Sequence, residues 1–458
     1  MKRTKPVSWP TPHIAILWLA ICGALGVFAP AAQALPSFAR QTGQPCSSCH
    51  VQSFGGSLTT LGREFKLGGY TMASAKGISF PPISAMVQGS FTNTGKGQAG
   101  GAAPGFGENN NGAFDGASLF YAGRVTDNLG ALIEVHYDPF ENHISLDTTD
   151  IRFAKSLEFL GKPMTAGVSM NNNPGAQDLW NTMPAWGFPY FSSSLAPTPM
   201  NATLLDGGLA GTAGGVTSYL MWNKLLYLEA GAYAPFNAMT QKAMSTYNPA
   251  SSLAGAAPYW RAALQHSFKN GAYLSAGFFG LQGDLNPGWL TTVGTDHYRD
   301  LGIDWTYQHY LGGSNDHILE VKGRHIWEQQ NLRATNLLGG ADNLRNTLNN
   351  FNLNASYTYQ QTYGMTFGYF KTDGTIDATL YAAAPSLAGR PNSEGYHAEL
   401  VYVPFGKNNS YLAPWVNMRL ALQYTAYTQF NGTGKNYDGE GRNASDNNTL
   451  FLNGWVAF

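Results

Sequence analysis

The sequence predicts an all-β transmembrane barrel of about sixteen antiparallel strands with a small N-terminal helical domain. Three observations carry this. Segments from Ile83 onward alternate apolar and polar residues with a period of two. Short connections alternate with long loops rich in Gly, Asn and Ser. The composition is that of an exported chain without membrane-spanning helices: 12% charged, 13% aromatic and 54 glycines in 458 residues.

The first element is a leader. Lys2, Arg3 and Lys5 precede an apolar run from Ile14 to Phe28, and Ala32-Gln33-Ala34 follows. This is the layout of a secretory signal peptide, residues 1–34, with the mature chain starting at Leu35. The run is shorter than the ~20 residues a spanning helix needs. Removing the leader leaves Cys46 and Cys49 as the mature cysteines. The leader carries three basic and no acidic residues, so the mature balance is 24 basic against 28 acidic, a net of −4. No basic cluster exists, which speaks against nucleic acid as a partner.

Residues 35–82 are the helical domain. "PCSSCH" places Cys46 and Cys49 two residues apart with His50 directly after. This is the attachment pattern of a c-type haem: two thiols add across the vinyl groups and the adjacent imidazole ligates the iron. Such attachment occurs outside the cytoplasm, in agreement with the leader. A zinc site would need a second ligand pair. A disulfide leaves the adjacent His50 without a role. A thioredoxin-like motif needs a βαβ setting. One covalent haem is therefore expected, held by Cys46, Cys49 and His50. "SLTTLGREFKL" from Ser57 reads as a helix with Leu58, Leu61 and Phe65 on one face and Gly68-Gly69 at its end. Arg40, Arg63 and Lys66 are candidate partners for the haem propionates. Met72 is the first choice for the second axial ligand, ahead of Met86 and His136; a methionine there raises the potential relative to a second histidine.

Residues 83–458 are the barrel. Its strands are expected near 83–91, 117–126, 129–138, 147–156, 163–170, 214–223, 225–234, 258–268, 272–281, 297–310, 316–328, 349–359, 363–371, 394–404, 415–430 and 449–458. In "NMRLALQYTAYTQF", Met418, Leu420, Leu422 and Tyr424 share one face and Arg419, Gln423 and Thr425 the other. In a barrel the apolar face meets lipid and the polar face lines the lumen. The even-to-odd connections are short, as at "NK" from Asn223 and "QQT" from Gln360. The odd-to-even ones are long, the longest running from about Asn171 to Gly214 with Trp180, Trp186, Phe188, Tyr190 and Phe191. Outer-membrane barrels keep their short turns periplasmic, so both barrel termini belong on that side. Arg124, Glu134, His136, Asp138, Asp150, Arg152, Glu320, Lys322 and Arg324 fall on lumen positions. Such charges are either solvated or paired, or they form a polar bed for something held inside.

The stretches "LPSFARQTGQPCSSCH" and "LGREFKLGGYTM", with a barrel ending in "DNNTLFLNGWVAF", resemble the fused monohaem cytochrome–porins of iron-oxidising bacteria. The terminal aromatic strand resembles the assembly signal of bacterial outer-membrane proteins. The resemblance is specific in the N-terminal fifty mature residues and at the C-terminus, and architectural between. It maps the attachment cysteines to Cys46 and Cys49 and the proximal ligand to His50. It implies location in the bacterial outer membrane, extracellular Fe(II) as electron donor, and a periplasmic c-type cytochrome or copper protein as acceptor. The apolar belt of such a barrel is ~25 Å tall, too far for one haem at the periplasmic face, so the haem domain is expected to plug the lumen from that side. Loop carboxylates at Asp178, Asp206, Asp342, Asp438 and Asp446 are candidates for attracting Fe(II). Two other readings use the same parts: a porin or transporter gated or sensed by haem, and electron export to extracellular acceptors. An open sixth position would allow a third, a haem enzyme.

Overall fold

The computed structural model describes residues 34–75, 77, 80–382 and 384–458. The expected leader, apart from Ala34, lies outside the described residues. The N-terminal segment contains helices α1 (Pro36–Thr42), α2 (Cys46–Cys49) and α3 (Thr60–Leu67), with a hairpin of β1 (His50–Gln52) and β2 (Gly55–Leu58) between α2 and α3. Helix α3 begins three residues later than the sequence pattern suggests. Thr59 caps it by accepting from the Gly62 amide, while Ser57 and Leu58 pair in the hairpin instead.

The barrel follows as β3 (Ile83–Thr94), β4 (Asn111–Arg124), β5 (Leu129–Asp138), β6 (His143–Phe159), β7 (Lys162–Asn171), β8 (Ala213–Trp222) and β9 (Leu226–Pro235). A three-residue strand, β10 (Ser251–Leu253), adds to the outer end of the later β12. The wall continues through β11 (Ala257–Ser267), β12 (Ala272–Pro287), β13 (Asp296–Tyr310), β14 (His317–Asn331), β15 (Arg345–Tyr359), β16 (Tyr363–Gly374), β17 (Ser393–Tyr402), β18 (Asn417–Gln429) and β19 (Thr449–Ala457). Apart from β10, all sixteen strands pair antiparallel with their neighbours in one ring, which β19 closes against β3 with Trp455 opposite Gln88. Among the described residues the sixteen wall strands leave no edge unpaired, as a lipid-facing sheet requires.

Several strands run further toward the long loops than the alternation predicts. β6 begins at His143, β12 continues to Pro287 and β15 begins at Arg345. The added residues mix polar positions, among them Asp284, Asn286 and Asn346, with isolated apolar ones such as Ile144, Leu285 and Leu348, so no regular alternation marks them. They stand above the lipid-facing belt.

The faces divide as expected. On β18, Leu420, Leu422 and Tyr424 are exposed on the outside while Arg419, Ala421 and Gln423 are buried inside. Tyr359, Tyr363, Tyr402, Phe159 and Phe268 stand exposed near the short turns, the place of an aromatic girdle. The chain is thus an outer-membrane-type barrel. One connection on the short-turn side, residues 403–416, is longer than the others, and it clamps the N-terminal segment. Gly406 accepts from the Ser47 amide at 3.0 Å, and the Trp415 ring lies 5.1 Å from the Arg40 guanidinium.

The N-terminal segment and an inward loop occupy much of the lumen, leaving a cavity of about 460 Å³ between α3 and the wall at Met164, Met221 and Tyr273. Arg152 and Asp150 are 0% exposed, and Arg419, Glu399, Glu320 and Lys322 are at most 3% exposed. Charges facing a water channel would be hydrated. Asp150, Arg152, Glu320 and Lys322 bond the N-terminal segment or the inward-folded loop, residues 172–212, so the polar-bed reading holds for them. Arg419 instead pairs with Glu399, and Glu134 and His136 bond Ser118 of the wall. Arg124 departs from it: its side chain is exposed at the end of β4 and pairs with Asp127 at 2.8 Å.

Candidate functional site: a cavity lined by the cysteine pair

The cysteine turn is a single helical turn. The His50 amide donates to the Cys46 carbonyl, and the thiols, three residues apart, lie on one side. Gly62 of α3 packs on this turn. A Cβ there would meet the Cys49 carbonyl oxygen at 2.1 Å, so α3 approaches closely only with glycine. The turn is fixed to the barrel by Gln361, whose Nε2 donates to the Ser47 carbonyl at 2.7 Å and to the His50 carbonyl at 2.9 Å.

Cys46, Cys49 and His50 line one cavity of about 80 Å³. Leu35, Phe38, Leu58, Phe65 and Tyr70 of the N-terminal segment complete its inner side, with Leu132 from β5. The inward loop supplies Asn181 and Trp186. That loop is anchored at depth. Asp178 accepts from the Thr182 and Met183 amides and lies 3.5 Å from Arg261, while Arg152 donates to the Gln177 carbonyl at 2.6 Å. Asn181 then donates to the Gly56 carbonyl at 2.7 Å, sealing loop to hairpin.

The electrostatics of the cavity are those of an apolar interior. Burial pushes the Cys46 thiol up to about 12, with Cys49 adding to the effect, and the Cys49 thiol up to about 11. Both cysteines are free. Neutral sulfurs suit a thioether better than a zinc thiolate or a reactive redox thiol. Burial lowers His50 to about 4, opposed by a backbone hydrogen bond to Gly55. The imidazole is therefore neutral above that pH, as an iron ligand must be. Its Nδ1 is buried without a partner. Two sulfurs and an imidazole with an unsatisfied buried nitrogen, on one apolar lining, are the donor set a covalently held haem would use.

Of the three expected propionate partners, only Lys66 lines the cavity. Its Nζ donates to Asn181 Oδ1 at 3.2 Å and lies 4.5 Å from the Trp186 ring. Burial, with Arg152 nearby, lowers it to about 7. Arg40 instead donates to the Ile83 carbonyl at 2.5 Å. Arg63 bonds the Leu58 carbonyl and Gln308 and stacks 3.6 Å from the Tyr273 ring. Both lock the N-terminal segment to the wall. Met72 is not brought to the cavity: its side chain is 40% exposed. Met86 is buried in the core with Leu35 and Phe54. His136 lies on β5 against Ser118 at 3.0 Å. None of these three lines the cavity. Sequence reasoning missed Asn181 and Trp186. Their signal was the dense aromatic content of an otherwise polar loop.

The loop acids take local roles. Asp342 accepts from Thr379, Asp446 completes a capping box with Asn443, and Asp206 faces Arg324 at 4.0 Å. Among the described residues no group of three or more His, Cys, Asp or Glu side chains is arranged to hold a metal ion.

No protein-family model matches the chain, and no curated protein matches it. Solved structures similar to it include an anion-selective porin from Comamonas acidovorans, 11% identical with a TM-score of 0.44, covering 82% of this chain and 98% of that one. OmpT of Vibrio cholerae with loop L8 deleted is 10% identical with a TM-score of 0.43, over 82% and 98% of the two chains. OprB of Pseudomonas putida at high pH is 12% identical with a TM-score of 0.43, over 82% and 93%.

Proposed function

We propose that this chain is an outer-membrane cytochrome–barrel fusion, similar to the monohaem cytochrome–porins, that carries electrons from extracellular Fe(II) to a periplasmic c-type cytochrome or copper protein. One observation carries the reading. Cys46, Cys49 and His50 converge on a single apolar cavity enclosed between the N-terminal segment and the inward loop, inside the barrel.

A haem bound there would supply a one-electron carrier. The chain's own residues do the rest. Cys46 and Cys49 anchor it covalently and His50 offers a neutral nitrogen to its iron. Lys66 lines the cavity and would pair with a propionate. Leu35, Phe38, Phe65 and Trp186 exclude water, and a drier, more apolar surround raises a haem's potential. Gln361 and Gly406 hold the cysteine turn at the short-turn rim, the periplasmic side in barrels of this type, where a soluble carrier docks.

A largely occupied lumen favours electron passage over solute passage. The test is twofold. The purified mature chain should keep its haem through denaturing electrophoresis, as seen by haem peroxidase stain. In planar bilayers its conductance should stay well below that of an open sixteen-stranded porin. Haem lost on denaturation would remove the cytochrome reading. Porin-like conductance with haem attached would favour the gated-porin reading.

A further inference from the structure

The lumen face of β5 leads outward from the cavity through groups that suit a metal cation. Leu132 lines the cavity. Glu134, His136 and Asp138 follow it on the same face, at every second residue, toward the side of the long loops. His136 stands four residues beyond Leu132, about 14 Å along the strand at ~3.4 Å per residue. That is roughly half the ~25 Å height of the apolar belt.

The wall beside these residues is irregular. β3 and β4 pair Gln88 with Gly116 and Gly89 with Phe114, so Asp115 is an extra residue, a β-bulge. A bulge re-aims a side chain, and here it turns Asp115 into the lumen. Asp115 is 7% exposed. Its Oδ1 accepts from Ser90 at 2.9 Å, while its Oδ2 is buried without a partner. A buried carboxylate oxygen is costly to leave unpaired, so this one asks for a cation or a donor. His136 leans over the same bulge. A Cβ on Gly116 would meet its Nε2 at 2.7 Å, so only glycine admits the ring there.

A short relay orients the imidazole. Ser118 donates to Glu134 at 2.7 Å, so its oxygen accepts from His136 Nδ1 at 3.0 Å. This bonding assigns the ring proton to Nδ1 and the lone pair to Nε2, the arrangement of a metal-ligating histidine held from behind. Nε2 makes no hydrogen bond among the described residues. Asp138 is the charged neighbour that Asp115 and His136 share. Its Oδ1 accepts from the Phe140 and Glu141 amides, which leaves Oδ2 for another partner.

We propose that Asp115, His136 and Asp138 hold extracellular Fe(II) as a partly hydrated ion while it gives up its electron. The inference rests on the electron-transfer reading above and names the site of its donor. Carboxylate and imidazole are both ligands for Fe(II). Among the described residues no closed metal centre is preformed, and a donor that must arrive and leave needs an open one, completed by water. One electron passes from Fe(II) to the oxidised haem, giving Fe(III) and reduced haem. No covalent bond forms and no proton is required. The electron's step is then set by the spacing of His136 from the cavity, not by the height of the belt.

The test uses full-length oxidised protein with haem attached and Mn(II) as a redox-stable probe. Binding is read from loss of the free Mn(II) EPR signal. Wild type should bind one Mn(II) per chain, and Mn(II) should compete with Fe(II) in stopped-flow reduction of the haem. D115N and H136Q should each weaken Mn(II) binding by about an order of magnitude and raise the Fe(II) needed for half-saturation as much. G116A keeps all three ligands but crowds the imidazole, and should weaken binding too. His297 is an exposed imidazole paired with Asp284 at 2.8 Å, so H297Q should match wild type and controls for adventitious binding. The haem spectrum, heat-modifiable gel migration and unchanged reduction by dithionite verify folding. No Mn(II) bound by wild type, or wild-type binding in D115N and H136Q, would overturn the site. Binding that both variants lose, in a protein whose haem Fe(II) fails to reduce, would uphold the cation site and count against the functional reading instead.

Discussion

Gln361, in a short turn of the barrel, donates one side-chain amide to the carbonyls of both Ser47 and His50, at 2.7 and 2.9 Å. The barrel thereby grips the cysteine turn at its middle and at its histidine, so the wall positions His50. Gln361→Ala removes both bonds and leaves two carbonyls short of a donor. At ~0.5–1.5 kcal/mol per bond, the loss should be about 1–3 kcal/mol. It should appear as a lower temperature for loss of the haem absorption spectrum, while the barrel's far-UV melting stays unchanged.

The three motif residues should separate by chemistry. Cys46→Ala with Cys49→Ala should abolish haem that survives denaturation. His50→Ala should keep haem on the denaturing gel but lose the native ferric spectrum, because thioether attachment and iron ligation are different bonds. Heat-stable haem in the double cysteine variant would contradict the assignment.

Met72→Ala should leave the haem spectrum unchanged. The side chain is two-fifths exposed, and the cavity is lined without it. A shifted ferric spectrum in this variant would mean that Met72 reaches the iron once haem is bound.

Gly62→Ala should destabilise the N-terminal segment despite improving helix propensity. Propensity favours alanine by ~1 kcal/mol, but the new Cβ would stand 2.1 Å from the Cys49 carbonyl oxygen. Overpacking against backbone costs ~1–3 kcal/mol, and at so short an approach the upper part of that range applies. Thermal loss of the haem signal should move down, not up.

Asp178 ties the inward loop to the wall through two loop amides and Arg261. Asp178→Ala leaves Arg261 its 2.6 Å pair with Asp304 but removes the acceptor of the Thr182 and Met183 amides, a loss of about 1–3 kcal/mol. The loop should detach, and conductance in planar bilayers should rise above wild type. An unchanged conductance would mean that the N-terminal segment alone closes the lumen.

Much of this architecture could be read from the residues. Period-two alternation locates β18 and identifies Arg419 and Gln423 as inward, because lipid on one face and lumen on the other leave a local signal in every strand. The cysteine motif stands out by its local spacing, and the structure brings Cys46, Cys49 and His50 to one cavity. What was not legible depends on distant contacts. Alternation says that Arg152 faces the lumen, but not that the Gln177 carbonyl and the Lys66 carbonyl will meet it there. Nothing local marks residues 172–212 as folding inward, since Asp178 finds Arg261 only in the assembled wall. Arg40, Arg63 and Lys66 look alike in sequence, and only packing separates the cation in the cavity from the two that bond the barrel. The start of α3 was misplaced because Ser57 and Leu58 suit a helix locally but are held in the hairpin, where Ser57 bonds Glu320 and Lys322.

The most direct measurement is stopped-flow absorbance of the purified, oxidised mature protein mixed with Fe(II) across a range of pH. The account predicts rapid appearance of the reduced haem α-band, with a rate that saturates in iron. Ready reduction by dithionite without reduction by Fe(II) at any pH would contradict it.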